Sequence, residues 1–195
     1  GKIFFRYMKI GLYFGTFDPI HKGHLMVAKQ VLYENIVDEI WFIVTPESPF
    51  KKLSIVASKE QRFEMLKLAI SQVDLPMRVS DIEFKLPSPQ YTSSTLKYLI
   101  KLYPDNIFYL IMGLDNYLTL TKWHDSDFII KKFHICVYDR GEVVSDYEVP
   151  NTIFLSGDKI NISSSLIRAS FLDNMTNVSS LDDKVLQYIT SNNIY

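Results

Sequence analysis

Short apolar runs that alternate with helical patterns constrain the fold of this chain more than any other feature of its sequence. The apolar runs, each of strand length, cover residues 9–14, 39–45, 77–84, 106–113, 133–139 and 152–156. Apolar residues at helical spacing mark the stretches 24–35, 58–72, 92–103, 163–172 and 182–191. Apolar strands that alternate with helices are typical of a parallel sheet covered on both faces. We therefore predict an α/β fold with a doubly wound parallel sheet and a small C-terminal helical part.

The length of the chain fits one domain. Its 195 residues are 47% hydrophobic, enough for a sizeable core, and neither a repeat nor a linker divides them. We expect a single domain over residues 9–195, with the helices of residues 163–195 packed on it. Residues 1–8 end in Met8, a candidate natural start, and are interpreted as an N-terminal extension or an artificial leader.

Charge and cysteine content disfavour several classes of function. The 21 Lys and Arg against 22 Asp and Glu give a formal net charge of −1, without the basic excess of a nucleic-acid-binding protein. No apolar run approaches the roughly 20 residues of a membrane span. The single cysteine, Cys136, cannot form an internal disulfide, and its apolar run indicates a core position. We expect a cytoplasmic protein that binds neither nucleic acid nor membrane.

The loop after the first strand, GTFDPIHKGH (residues 15–24, the histidine loop), has features of a phosphate-binding turn. Gly15 permits a tight exit from the strand, and Gly23 lets backbone approach a ligand where the helix begins. A helix N-terminus suits phosphate, and His21 and His24 would add two donors beside it. Two other interpretations stay open at this point: a metal site, which would need one or two further ligands, and two incidental surface histidines.

A second helix start of similar character is NISSSLIR (residues 161–168). Ser164 and Ser165 offer hydroxyls, and Arg168 follows one helical turn later. By itself this pattern fits a serine cap with a surface arginine better than an anion site. Two such helix starts at the same edge of a parallel sheet favour a polyphosphate ligand.

Two further loops resemble a pocket for a second substrate. PSPQYTSSTL (87–96) places Tyr91 and Thr92 on a proline-stiffened loop, and GLDNYLTLTKWH (113–124) offers Gly113, Asp115 and Trp123. An indole at a sheet edge can stack on a planar heterocycle, and a threonine can bind its polar substituent. The alternative is that the aromatic residues close the core and that Asp115 caps a helix.

Taken together, these motifs resemble a known family. GTFDPIHKGH is similar to the (T/H)xGH signature of the nucleotidyltransferase superfamily, and NISSSLIR resembles its ISSTxIR partner motif. SPQYTSSTL and GLDNYLTLTKWH resemble two further motifs of the bacterial nicotinate-mononucleotide adenylyltransferases. The resemblance runs in the same order from about residue 9 to residue 190. It implies a Rossmann-like sheet of the nucleotidyltransferase type, and transfer of AMP from ATP to nicotinate mononucleotide in NAD biosynthesis.

The resemblance also implies roles for individual residues. His21, His24 and Arg168 match catalytic residues that contact the ATP phosphates. The positions implied for ATP binding are Gly15, Thr16, Phe17, His21, Gly23, His24, Gly113, Asp115, Ser164, Ser165 and Arg168. Those implied for nicotinate mononucleotide are Thr16, Phe17, Lys51, Tyr91, Thr92 and Trp123, with Trp123 as the stacking platform.

The resemblance further implies Mg²⁺ carried on the triphosphate of ATP, and the sequence shows no dedicated carboxylate cage for it. Phe50 stands where many relatives have a histidine before Lys51, which leaves the contribution of that loop open. Nicotinamide mononucleotide and phosphopantetheine remain alternative acceptors, and a catalytically silent nucleotide sensor is the alternative to an enzyme. A homo-oligomer is compatible with the sequence, which does not fix the oligomeric state.

Overall fold

The computed structural model describes residues 7–47, 55–139, 149–157, 160–174 and 178–195. The strands in this part of the chain are β1 Lys9–Gly15, β2 Glu39–Val44, β3 Met77–Ser80, β4 Ile107–Gly113, β5 His134–Tyr138 and β6 Thr152–Phe154. The α-helices are α1 Lys22–Tyr33, α2 Lys59–Ser71, α3 Thr92–Leu102, α4 Leu114–Thr119, α5 Ser126–Lys132, α6 Ser164–Leu172 and α7 Asp183–Ser191.

The strands form one parallel sheet in the order β3-β2-β1-β4-β5-β6, which confirms the predicted fold class. The strand order reverses between β1 and β4, where Tyr13 pairs with Ile111 and the two strands end at Gly15 and Gly113. Ligands of such sheets bind beyond the carboxyl ends of the strands at this switch point. The histidine loop and the loop after β4 are therefore neighbours at that edge.

Alternating strand residues fill a hydrophobic core on each face of the sheet. On one face, Tyr13, Phe42 and Ile111 pack with α1 and α2, and the same core continues into α6 and α7 through Ile167 and Val185. On the other face the strands pack against α3, α4 and α5; its buried residues include Leu12, Ile43, Leu110, Leu96, Leu99, Tyr117 and Ile129. The C-terminal helices α6 and α7 therefore pack on the same face of the sheet as α1 and α2.

The predicted third strand, 77–84, is too long. β3 ends at Ser80, whose hydroxyl accepts a hydrogen bond from the backbone N–H of Ile82 at 3.2 Å, and residues Ile82–Lys85 form a 3₁₀ turn. This turn buries Ile82 and Glu83, which an extended strand would have pointed to opposite faces. The sixth strand is also shorter than the predicted run, since it covers only Thr152–Phe154.

Candidate active site

The two histidines of the histidine loop hold each other in place at the start of α1. His21 is the N-cap residue: its Nδ1 accepts from the backbone N–H of His24 at 3.3 Å, and the Nδ1 of His24 accepts from the backbone N–H of His21 at 3.2 Å. The two imidazole rings stack at 3.6 Å between centroids. This is a capping box made of two imidazoles. It starts α1 at Lys22, two residues before the predicted start at His24.

The reciprocal cap also fixes the chemistry of the rings. Because both Nδ1 atoms are hydrogen-bond acceptors, the proton of each neutral imidazole lies on Nε2, which makes Nε2–H the donor of each ring. The backbone N–H of Lys22 donates to the carbonyl of Ser180 at 2.8 Å, and that of His24 is used by the cap. Two amides of the first helical turn are therefore bonded within the protein. The His21 side chain is buried, with 3% of the residue exposed, and His24 is half-buried.

Gly23 is required by the packing of His21. A Cβ atom on Gly23 would lie 2.8 Å from Cε1 and 2.9 Å from Nδ1 of the His21 ring. Real Cβ contacts are not that close, so any side chain at position 23 would displace the imidazole. The absence of a side chain at Gly23 therefore leaves room for the His21 ring, in addition to letting the backbone approach a ligand.

The side chain of Phe17 packs in the core beneath the histidine loop. Its φ is +50°, and its ring is only 3% exposed, packed edge-on against His24 at 5.0 Å and beneath Gly15. The Phe17 side chain therefore supports His24 from the core, and only the backbone of Phe17 can face a ligand. Its positive φ turns the chain between β1 and the cap.

The start of α6 lies against the histidine loop, as the sequence predicts for the two motifs. Ser163 is the N-cap and accepts from the backbone N–H of Leu166 at 3.1 Å, whereas the Ser164 hydroxyl donates to the carbonyl of Pro19 at 3.0 Å. Arg168 donates through Nη1 to the carbonyl of Asp18 at 2.8 Å, and its Nη2 lies 3.3 Å from the Ser165 hydroxyl. The structure therefore brings His21, His24, Ser164, Ser165 and Arg168 to one site.

Beneath this site lie two buried charged residues, Asp18 and Arg62, and no sequence motif indicates the role of Arg62. Asp18 is 2% exposed and Arg62 is 1% exposed. The Arg62 guanidinium donates to the carbonyls of Thr16, Thr45, Pro46 and Ala57, at 2.7 to 3.1 Å. Burial lowers the pKa of Arg62, and the negative charge of Asp18 opposes that effect. Arg62 therefore ties together the loops after β1 and β2 and the approach to α2.

Two of the residues predicted for the second substrate, Thr92 and Trp123, line a small cavity between β1, β4 and α3. It has a volume of about 30 Å³ and is lined by Phe14, Thr92, Leu110, Ile111, Met112, Asn116 and Trp123. The Trp123 Nε1 donates to the Thr119 hydroxyl at 3.2 Å, which orients the indole. Tyr91 stacks on His124 at 4.2 Å between ring centroids. Thr92 and Trp123 thus meet as predicted, and Phe14 and Asn116 join them; we call these surroundings the acceptor pocket.

Glu83 is a buried carboxyl group behind the start of α3. It is 1% exposed and accepts from the Thr95 hydroxyl at 2.5 Å. Burial raises the pKa of Glu83 to about 7, against the opposing effect of hydrogen bonds from Thr95 and Thr45. The backbone N–H of Thr95 donates to the carbonyl of Tyr91 at 3.1 Å, so the contact with Glu83 braces the segment that carries Tyr91 and Thr92.

The remaining predicted residues take varied positions. Gly113 is the N-cap of α4, so Asp115 is not a helix cap; it is exposed at the second position of that helix. A Cβ on Gly113 would lie 2.8 Å from Asp115 Oδ1, so the glycine leaves room for that carboxylate. Lys51 and Phe50 lie outside the described residues.

Cys136 is fully buried, which confirms the predicted core position. Burial also raises the pKa of its thiol to about 12, which disfavours a nucleophilic role.

The donor groups near the site do not form a dedicated metal centre. Among the described residues, no three His, Cys, Asp or Glu side chains converge to hold an ion. Both carboxylate oxygens of Asp18 already accept hydrogen bonds, from the backbone N–H groups of Val56 and Ala57 and from Tyr195. These residues fit a divalent cation that is carried on phosphate oxygens better than one held by protein ligands.

Comparison with known proteins gives the family. The cytidylyltransferase-like family model matches residues 12–170. A probable nicotinate-nucleotide adenylyltransferase from Flavobacterium johnsoniae is 42% identical over 192 residues, which covers 96% of this chain and 99% of the relative. One from Bacillus licheniformis is 34% identical over 187 residues, covering 96% and 98%. The chain therefore belongs to the cytidylyltransferase-like family, in its nicotinate-nucleotide adenylyltransferase branch.

A solved structure supports the fold independently. Plasmodium falciparum nicotinic acid mononucleotide adenylyltransferase, complexed with NaAD, superposes with a TM-score of 0.81 at 21% identity and covers 96% of this chain and 97% of its own. None of the helices in the described part of the chain has both the length and the apolar character of a membrane span.

Proposed function

We propose that the protein transfers AMP from ATP to nicotinate mononucleotide, forming nicotinate adenine dinucleotide and pyrophosphate. The observation that carries this proposal is the meeting of the histidine pair with Arg168 at the sheet's switch point, next to the acceptor pocket. The names of the relatives at 34–42% identity support the same reaction.

In the proposed reaction, an oxygen of the mononucleotide 5′-phosphate attacks the α-phosphorus of ATP. The new P–O bond forms as the bond from the α-phosphorus to the oxygen bridging to the β-phosphorus breaks, and pyrophosphate leaves with that oxygen. Negative charge therefore accumulates on the departing phosphates. Donors fixed before the reaction stabilise such charge most effectively, because they need no reorganisation.

On the ATP side, we assign the Nε2–H groups of His21 and His24 to oxygens of the triphosphate. The reciprocal cap favours this tautomer and holds the rings parallel. Arg168 would neutralise the β- and γ-phosphates. Its short hydrogen bonds go to a backbone carbonyl and a hydroxyl, and the Oδ2 atom of Asp18 lies farther away, 3.9 Å from its Nη1. Ser164, Ser165, Gly15, Gly23, Gly113 and Asp115 would complete the ATP site.

On the acceptor side, we assign Trp123 to the face of the nicotinate ring and Tyr91 and Thr92 to its substituent. Thr92 and Trp123 line the acceptor pocket, and Tyr91, which precedes Thr92 in the chain, stacks on His124; these positions support the assignment. Backbone groups of Thr16 and Phe17 would lie between the two substrates, and Lys51 would offer a cation to the mononucleotide phosphate. The proposal includes a preference of the acceptor site for nicotinate mononucleotide, the acid, over nicotinamide mononucleotide, the amide.

Mg²⁺ enters the proposal as a component of the MgATP substrate, held by phosphate oxygens, and would offset their charge when bound. We propose that residues 9–195 act as one catalytic domain, and that the protein works in the cytoplasm, as its single cysteine favours. A homo-oligomer is compatible with this site, which is built from one chain.

The test is a pyrophosphate-release assay with MgATP and three acceptors: nicotinate mononucleotide, nicotinamide mononucleotide and phosphopantetheine. We expect the highest kcat/KM with the nicotinate compound. Preference for one of the other two acceptors would change the substrate assignment. Absence of release with all three, from a protein that still binds MgATP, would favour the nucleotide sensor.

A further inference from the structure

We propose that Tyr195 is a positioning residue of the ATP site, because its hydroxyl holds the Asp18 carboxylate away from Arg168. The inference rests on the proposed function, since it takes ATP as the ligand of Arg168. No motif of the chain points to Tyr195, which lies 177 positions from Asp18 in the sequence.

The Asp18 carboxylate has a full set of hydrogen-bond donors. Oδ2 accepts from the backbone N–H of Val56 at 2.7 Å, and Oδ1 accepts from that of Ala57 at 3.0 Å and from the Tyr195 hydroxyl at 2.5 Å. At 2% exposure the carboxylate has little contact with water. Its orientation is therefore set by these three protein groups.

Tyr195 is suited to act as a permanent donor. Burial raises the pKa of its phenol, and the hydrogen bond to Asp18 and the negative charge of Asp18 raise it further. The hydroxyl stays protonated at any pH at which the enzyme would work. The ring stacks on Phe171 at 6.1 Å between centroids, so packing holds the hydroxyl in place.

The consequence for Arg168 follows from the geometry of the pair. The Arg168 Nη1 atom lies 2.8 Å from the backbone carbonyl of Asp18 but 3.9 Å from its Oδ2. A guanidinium prefers a close contact with a carboxylate over one with a carbonyl. If Asp18 lost its phenol donor, the carboxylate could rotate toward Arg168 and compete with the phosphates for its charge.

The contact belongs to a wider attachment of the C-terminal segment to the histidine loop. Ser164 binds the carbonyl of Pro19, Ser180 accepts from the backbone N–H of Lys22, and Arg168 binds the carbonyl of Asp18. Tyr195 differs from these three because it bonds to a side chain. It therefore influences the charge balance of the site as well as the path of the loop.

The experiment compares Tyr195→Phe with Tyr188→Phe, a matched loss of a hydroxyl on α7. Tyr195→Phe keeps the aromatic ring, so we expect a thermal midpoint within a few degrees of that of the parent protein. MgATP affinity by calorimetry and kcat/KM for ATP should each fall about tenfold, the scale of one hydrogen bond to a charged group. The KM for the mononucleotide should change less than about twofold, and Tyr188→Phe should change none of these values.

A double-mutant cycle with Asp18→Asn tests the route of the effect. If Tyr195 acts through the charge of Asp18, Tyr195→Phe should have little additional effect on MgATP affinity in the Asp18→Asn background. Unchanged MgATP affinity in Tyr195→Phe would overturn the inference, as would equal losses for both substrates with a lowered thermal midpoint. Calorimetry requires no acceptor, so this outcome is distinct from a failure of the proposed reaction, which would appear as an inactive parent protein.

Discussion

The two halves of the site are built in different ways. On the ATP side, the histidines cap each other, Asp18 is surrounded by donors, and Arg62 binds four carbonyls from three segments. On the acceptor side, aromatic rings surround a small cavity, with single hydrogen bonds such as that from Trp123 to Thr119. Polar contacts with fixed geometry suit a transition state that accumulates charge, whereas a stacking surface suits recognition of a flat ring. We expect substitutions on the two sides to differ accordingly.

The largest expected effect comes from Arg62, which supports the ATP side from below. Arg62→Met leaves buried carbonyls without a donor and Asp18 without its nearby positive charge. Urea denaturation should show a loss of about 3–5 kcal/mol in the free energy of unfolding, as expected when several buried polar groups lose their hydrogen-bond partner at once. Arg78 is the control, because its side chain is 61% exposed beside Glu39 and over the Trp41 ring. Arg78→Met should cost less than about 1 kcal/mol, and equal losses would show that Arg62 has no special role.

The next effect concerns the histidine pair. His21→Ala and His24→Ala each remove a preorganised donor, so turnover should fall on the order of 10²-fold or more. His21→Ala also removes an N-cap and should cost about 1 kcal/mol of stability. His134→Ala serves as the control, because that exposed histidine stacks on Tyr109 at the start of β5, away from the site. Near-normal pyrophosphate release by both loop variants would contradict the assigned mechanism.

A smaller effect should follow from the addition of a single methyl group at Gly23. Gly23→Ala places a Cβ atom 2.8 Å from the His21 ring, which must shift by several tenths of an ångström. We expect kcat to fall about tenfold, since misplaced catalytic groups lose much of their effect. Gly157→Ala is a matched control: its Cβ would meet Gln30 at 3.4 Å, an ordinary contact. If both variants turned over like the parent protein, the close packing of the histidine pair would be irrelevant to catalysis.

The smallest effect is expected on the acceptor side, and it should be confined to one substrate. Trp123→Ala removes the stacking surface, so the KM for the mononucleotide should rise about fivefold to tenfold while the KM for ATP stays the same. Trp123→Phe, which keeps an aromatic face, should restore most of the affinity. Steady-state kinetics with each substrate varied in turn provide the measurement. An equal rise in both KM values would mean that Trp123 has a structural role instead.

Local sequence signals were sufficient to predict most of the fold and the approximate place of the site. The strand and helix patterns gave the parallel sheet, and the shared edge of that sheet brought the histidine loop to NISSSLIR. The error at residues 77–84 arose because Ser80 bonds its own backbone two residues later and ends β3. Such side chain to backbone contacts compete with a strand and are hard to detect in an apolar run.

The supports of the site could not be predicted in the same way. Arg62 occupies an ordinary position in KEQRFEMLK, where a charged residue on a helix usually faces solvent. The sequence indicates that Phe17 is a loop residue, but its backbone has a positive φ and its ring is buried in the core. Tyr195 reaches Asp18 because α7, which precedes it, packs on the face of the sheet that carries α1 and α2. These roles depend on contacts between distant segments, which periodicity and motif spacing do not encode.

The central claim is that the histidine loop and the start of α6 form one triphosphate site. A crystal structure with a non-hydrolysable ATP analogue and Mg²⁺ tests it most directly. We expect phosphate oxygens within about 3.2 Å of Nε2 of His21 and His24 and of the Arg168 guanidinium. We also expect the Asp18 carboxylate to keep its hydrogen bonds to Val56, Ala57 and Tyr195. Phosphates bound elsewhere, with both imidazoles out of reach of them, would contradict the account.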